Sequence, residues 1–231
     1  MFYRTCRRIL PLTLALLLII SCVPIAYTAD FSDVPRSHWA YSYIHDAVDR
    51  KLIQGYGDRR FHPEEPVSVQ AFLSMVCRTD GLDDRQLQSG SNWADPAVAY
   101  GIYFGWFEPK ELGVRTASIS REFATQLLIC AFYPEAVGLG EELTFRDQDA
   151  ISPKRLPYVR VAAALGLIEG YEDGTFRPEQ GLTRAAAAKL LSRCAARPSA
   201  VSGETVQVPV LMYHDVLSLI HISEPTRPEP I

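Results

Sequence analysis

The sequence predicts an all-α protein built from three copies of a short helix pair, preceded by an export signal. A short motif recurs as Phe31-Ser32-Asp33-Val34, Trp93-Ala94-Asp95 and Phe145-Arg146-Asp147, each time ahead of a stretch rich in Ala and aliphatic residues. Self-similarity of this kind marks a repeat architecture. Apolar residues also fall at helical spacing. Ala40, Ile44, Ala47, Val48 and Leu52 share one face of a first helix, and Phe72, Leu73 and Val76 share one face of a second. A unit of about fifty to sixty residues with two short amphipathic helices buries too little to stand alone, so three copies must pack together. The 62- and 52-residue offsets between Asp33, Asp95 and Asp147 are too long and too uneven for a tetratricopeptide array.

The first element is the N-terminal segment, residues 1–29. Arg4, Arg7 and Arg8 precede Ile9 to Ile20, a run that is apolar except for Pro11 and Thr13. A charged segment followed by a short apolar one is the pattern of a secretory signal, and the run is too short for a comfortable membrane span. Cleavage is expected near Ala26 to Ala29. An uncleaved anchor is the alternative, and Ile19-Ile20-Ser21-Cys22 resembles a lipobox in which Cys22 would be lipidated; ordinary secretion is preferred. Contact with a membrane is expected only through this segment or that lipid.

Repeat 1 covers residues 30–80, a degenerate repeat 2 covers 91–134, and repeat 3 covers 144–194. In repeats 1 and 3 the first helix runs into matching loops, Leu52-Ile53-Gln54-Gly55-Tyr56-Gly57-Asp58 to Pro63 and Leu167-Ile168-Glu169-Gly170-Tyr171-Glu172-Asp173 to Pro178. Asp173-Gly174 is a turn signal, and the flanking Tyr171 and Phe176 can pin the loop to the core. Asp95-Pro96 and Ser152-Pro153 read as helix starts, each a capping side chain ahead of a proline. Ser68, Ser120 and Thr183 read as N-caps of the second helices.

Charge and cysteine content exclude several functions. Residues 30–216 carry 19 basic and 25 acidic side chains, so binding nucleic acid through a general basic field is disfavoured, as is a polybasic membrane patch. Cys6 and Cys22 lie in the signal. Cys77, Cys130 and Cys194 are odd in number and lack C-x-x-C spacing, which points to small buried apolar residues rather than disulfides, zinc or redox chemistry. Gly170 to Gly174 lacks the alternating carboxylates of a calcium loop. No metal site and no cofactor are expected.

Several multi-residue motifs occur in a fixed order: Phe-x-Asp-Val, His38-Trp39-Ala40, the Leu-Ile-x-Gly-Tyr loops, and Leu182-Thr183-Arg184-Ala185. Together they resemble the S-layer homology repeat of bacterial cell-surface proteins, over roughly Phe31 to Arg193. Repeat 2 departs from the pattern, since Glu108 to Ser118 lacks the Gly-Tyr-x-Asp-Gly segment. The resemblance implies a pseudo-threefold, spindle-like helical module that attaches an exported protein non-covalently to the wall of a Gram-positive type envelope. Its implied ligand is a secondary cell-wall polysaccharide bearing pyruvylated amino sugars. Such a ligand presents a carboxylate and a sugar ring, which a guanidinium, exposed backbone N–H groups and an aromatic wall would recognise. The family's Thr-Arg-Ala-Glu motif falls on Ser68-Val69-Gln70-Ala71, Ser120-Arg121-Glu122-Phe123 and Thr183-Arg184-Ala185-Ala186. Only Arg121 and Arg184 keep the arginine. The resemblance therefore makes Arg184, Arg121, Asp33, Trp39, Gly55 and Gly170 the candidate ligand residues. Helix capping by the aspartates, a core position for Trp39 and a surface ion pair for Arg184 are the structural alternatives.

Residues 195–207 form a polar linker with Pro198, Ser199, Ser202 and Gly203. Val208 to Val216, containing His214 and Asp215, resembles the opening strand of metal-dependent polysaccharide deacetylases, whose later motifs are absent from this sequence. A second reading therefore makes the chain the N-terminal fragment of a wall-anchored deacetylase, although its 231 residues carry no catalytic motif of that kind. Residues 217–231, beginning Leu217-Ser218-Leu219-Ile220-His221, resemble the translation of a sequencing-library adapter. Genuine coding sequence is therefore expected to end near Val216, the alternative being a genuine short Pro-rich tail.

Overall fold

Six α-helices, two to each repeat, carry the residues that the computed structural model describes, 30–82 and 92–196. They are α1 (Tyr41–Asp49), α2 (Val69–Thr79), α3 (Asp95–Tyr103), α4 (Arg121–Phe132), α5 (Leu156–Ala164) and α6 (Arg184–Ala195). The signal segment with Cys22, the linker from residue 197 onward, the deacetylase-like stretch and the tail lie outside the described residues. Among those described, no helix is long and apolar enough to cross a membrane.

The second helices begin as the sequence predicts. Ser68, Ser120 and Thr183 have extended backbones, and their hydroxyl oxygens accept the amides of Ala71, Phe123 and Ala186, each at 3.3 Å. Each bond satisfies one of the unpaired N–H groups at a helix start.

The first helices begin elsewhere than expected. Helix α3 has Ala94 as its N-cap and Asp95 as its first residue. Helix α5 starts at Leu156, after a turn in which the Ser152 carbonyl accepts the amides of Arg155 (2.8 Å) and Leu156 (3.0 Å). This changes the alignment of the repeats. Ala40, Ala94 and Arg155 each precede a nine-residue helix. His38 Nδ1 accepts the Ala40 amide at 3.1 Å, and Asn92 Oδ1 accepts the Ala94 amide at 3.0 Å. Trp93 is thus the counterpart of Trp39, not of Phe31, and Asp95 is the counterpart of Tyr41, not of Asp33. Trp93-Ala94-Asp95 matches Phe31-Ser32-Asp33 in residue type alone.

All three first helices end in a left-handed residue: Lys51 (φ 61°), Gly105 (φ 70°) and Gly166 (φ 66°). Only at Lys51 does a Cβ sit in this conformation, which costs about 1 kcal/mol. Lys51→Gly is expected to stabilise the protein by about that amount, measured as a rise in the urea midpoint at unchanged slope.

The repeats close into a ring. Just ahead of the second helices, the Val67 amide donates to the Leu182 carbonyl, the Leu182 amide to Ile119, and the Ile119 amide to Val67, each at 2.9 Å. Three equivalent residues thus form a closed cycle of backbone hydrogen bonds, which defines a pseudo-threefold axis. Their side chains are all buried beside it. Each first helix lies on the second helix of the repeat before it in the ring: α3 on α2, α5 on α4, and α1 on α6. The last pairing joins the two ends of the module. There Ser192 Oγ donates to Asp46 Oδ2 (2.5 Å), and Arg50 Nη1 donates to the Ala195 carbonyl (2.9 Å). One continuous core results, with Phe61, Phe72, Phe176, Ile44, Leu127 and Leu191 fully enclosed. Burial on this scale contributes about 1.5–3 kcal/mol per large side chain. Cys77 and Cys194 are buried in that core, and burial pushes the Cys77 thiol far up and that of Cys130 to about 11.

Candidate functional site

Arg121 and Arg184 are the first residues of α4 and α6, where a cation opposes the helix dipole. Their contacts lie in the neighbouring repeat. Arg184 Nε donates to the Phe61 carbonyl (2.8 Å) and Nη2 to the Gln54 carbonyl (2.6 Å), with the guanidinium 4.7 Å from the Tyr56 ring and 4.6 Å from the Phe61 ring. Arg121 repeats this on repeat 3. Its Nε donates to Phe176 (2.8 Å), its Nη2 to Glu169 (3.3 Å), and Tyr171 and Phe176 lie 4.9 Å away. The acceptors are backbone carbonyls, so the surface ion-pair alternative for Arg184 does not describe it. Burial lowers both guanidinium pKa values from the ordinary range, while the aromatic faces and carbonyls favour the cation.

Each matching loop is therefore a cradle for an arginine from the repeat before it. The aspartates hold the cradles in shape. Asp33 Oδ1 accepts the Phe61 amide (2.9 Å) and Oδ2 the His62 amide (2.7 Å); Asp147 does the same for Phe176 and Arg177, both at 2.7 Å. His62 and Arg177 sit at φ 55° and 56°, a strained conformation that these bonds fasten. Burial alone would raise the Asp33 pKa, but the amides of Phe61, His62 and Asp33 itself, with the nearby His62, together leave the carboxyl below its usual range. Neither carboxylate caps a helix: Asp147 stands just ahead of the short 3-10 turn Gln148–Ala150, but its side chain makes no capping bond there.

Gly55 and Gly170 are small for an internal reason. A Cβ at Gly55 would overlap the Phe31 ring, and one at Gly170 would stand 2.9 Å from Phe145. On that side the space assigned to an approaching sugar is filled by the repeat's own phenylalanine. Gly55→Ala is expected to cost about 2 kcal/mol through overpacking. Gly57→Ala, with open space around it, should change stability by less than about 0.5 kcal/mol in the same urea titration.

Trp39 is 55% exposed, so it is not a core residue. It forms one wall of a groove of about 380 Å³ whose other walls include Arg121, Tyr171, Gln180 and Lys189. The groove thus draws on all three repeats. The six candidates divide into two sets: Arg121 with Trp39 and the Gly170 loop, and Arg184 with Asp33 and the Gly55 loop. The pseudo-threefold relation assigns Trp93, 49% exposed, to the Arg184 set. Sequence reasoning placed Trp93 in a different role and did not single out Lys189 or Gln180. The equivalence of the Trp-Ala pairs, each just before a first helix, is the signal that could have found Trp93.

The third position is built differently. Val69 replaces the arginine, and the loop it faces, in repeat 2, lacks the tyrosine and glycine of the cradle. Backbone bonds survive there, from the Val69 amide to Ala117 and from the Gln70 amide to Arg115, both 3.0 Å. Lys154 stands where Trp39 and Trp93 stand in the other repeats, and it pairs with Glu111 of the repeat 2 loop at 2.8 Å. Beside it Arg155 Nη1 meets Glu122 at 2.8 Å. Ion pairs occupy the place that the groove takes at the Arg121 position.

Comparison with known proteins follows the same division. Residues 30–68 and 144–188, within repeats 1 and 3, match the family described as S-layer homology domain. The chain is 30% identical over 177 residues to an endoglucanase of Bacillus sp. (strain KSM-635), a match covering 70% of this chain and 18% of that enzyme. It is 26% identical over 186 residues to a surface-layer 125 kDa protein of Lysinibacillus sphaericus, covering 74% and 15%. It is 25% identical over 171 residues to cell surface glycoprotein 1 of Acetivibrio thermocellus, covering 64% and 7%. The chain therefore spans less than a fifth of the length of each of these relatives.

Proposed function

We propose that this chain, a member of the S-layer homology family, acts as a non-catalytic anchor that holds an exported protein on the cell wall by binding an anionic wall polysaccharide. The observation that carries the reading is the pair of equivalent arginines, each fixed in an aromatic cradle at a helix start with an exposed tryptophan assigned to it, the one at Arg121 opening on the groove walled by Trp39. A guanidinium already tethered through Nε and one Nη2 proton keeps its remaining N–H groups for a carboxylate. The indole offers a flat apolar face to a sugar ring. Pyruvylated amino sugars supply both partners in one residue, and so form the ligand class that these clefts suit.

The relatives support an anchoring role over a catalytic one. An endoglucanase and a surface-layer protein differ in what their names describe, yet they match 70% and 74% of this chain, so the matched parts overlap. A segment common to both is better suited to attachment than to hydrolysis. Two clefts on one module also permit bivalent capture of a repeating polymer, which strengthens retention without new contacts.

The test is a pull-down of the protein with purified Gram-positive sacculi, before and after chemical removal of the secondary polysaccharide. Retention on intact sacculi and release from stripped ones is the expected result. Equal retention on both would defeat the proposal.

A further inference from the structure

The two arginine clefts are equivalent in backbone but not in charge. Lys189 is the sixth residue of α6, and the sixth residues of α2 and α4 are Ser74 and Gln126. Glu169 and Gln54 are equivalent as well, since each gives its carbonyl to a cradled arginine. The cleft of Arg121 thus contains a second cation and a carboxylate at the positions where the Arg184 site has Ser74 and Gln54, and Glu64, 3.8 Å from His38, also lines it. Lys189 Nζ lies 2.9 Å from Glu169 Oε2, and Arg193 Nη2 lies 2.8 Å from Glu169 Oε1. Glu169 is therefore held by two cations, and these donors bring its carboxyl down to about 2. Its side chain is 58% exposed, and that of Lys189 is 24% exposed on the wall of the groove.

We propose that Lys189 is a second anion contact in the Arg121 cleft, turning from Glu169 to the carboxylate of a bound acidic sugar while Arg193 keeps Glu169 paired. The inference rests on the anchoring reading and deepens it. The exchange leaves no buried charge alone, because Glu169 retains a partner and remains open to water. A neutral sugar offers Lys189 only uncharged hydroxyl acceptors in return for the Glu169 carboxylate. The Arg121 cleft therefore distinguishes acidic from neutral sugars more sharply than the Arg184 site, where Ser74 stands in the place of Lys189. Glu169 competes with the ligand, so its removal should strengthen binding.

The test is an NMR titration of the full chain with the methyl glycoside of a 4,6-pyruvylated N-acetylhexosamine and with its unpyruvylated parent. The backbone amides of Tyr171 and Tyr56 report the two clefts separately. Lys189→Ala is expected to weaken the acidic sugar about tenfold at Tyr171 and leave Tyr56 and the neutral sugar unchanged. Glu169→Gln is expected to tighten it about threefold at Tyr171, a direction that a damaged fold would not produce. Affinity at Tyr171 within twofold for Lys189→Ala, or weakening by Glu169→Gln, would overturn the inference while leaving the anchor intact. Absence of any response in the unsubstituted protein would overturn both this inference and the acidic-sugar ligand on which it rests.

Discussion

Arg121→Ala and Arg184→Ala made together are expected to release the protein from intact sacculi, lowering retention by about a hundredfold or more, while each alone leaves weaker single-cleft binding. The magnitude follows from losing both charged contacts and, with them, the bivalent gain. Each substitution also has a structural cost. Removing Arg184 leaves the Phe61 and Gln54 carbonyls without their donor and opens the join between repeats 3 and 1, worth about 2 kcal/mol. Folding and binding must therefore be read apart. Circular dichroism in urea gives the stability loss, and retention is compared under conditions where each variant remains folded. Arg→Lys at either position is expected to restore little binding, because an ammonium cannot bridge two carbonyls and still present a planar fork. Full retention by the folded double-alanine variant would remove the arginines from the ligand site.

That both arginines serve the ring and the cleft explains why the sequence revealed only half of their role. Residue type and helical position were legible: Arg121 and Arg184 stand just after N-caps, and the caps are local chemistry. The docking partner was not, because it lies in another repeat. Arg184 meets Gln54 and Phe61 more than a hundred positions away, and the cyclic order that brings them together appears only when α1 is seen on α6. The loss of arginine at Val69 and the loss of the tyrosine cradle in repeat 2 look like two separate defects along the chain. In the folded ring they face each other, so a missing guest and a missing host are one change. The Trp93 misalignment has a related cause. Phe31 fills the space above Gly55 and Trp93 precedes a helix, a difference of packing that residue type alone does not carry. Asp33 was legible as important, but a carboxylate that accepts two loop amides and one that faces a ligand have the same letter.

The ion pairs at the third position carry the other large prediction. Glu122 is buried at the start of α4, where its Oε1 accepts Arg155 Nη1 (2.8 Å) and Ser152 Oγ (3.0 Å) and its Oε2 accepts the Ser152 amide (2.9 Å). Arg155 in turn donates from Nε to Gln126 (3.2 Å) and lies 4.8 Å from the Phe123 ring. Glu122→Ala leaves this guanidinium, its side chain 20% exposed, without its principal counter-charge, and is expected to cost about 3 kcal/mol. Arg155→Ala should cost a similar amount, and the double variant less than the two together, since the second loss removes a charge already unpaired. A double-mutant cycle in urea measures that coupling. Wall retention of folded Glu122→Ala is expected to equal that of the unsubstituted protein, because the network fills a position that holds no arginine cradle. Strict additivity would mean that the carboxylate and guanidinium do not act as a pair. Loss of retention in the folded variant would mean that the third position still takes part in binding.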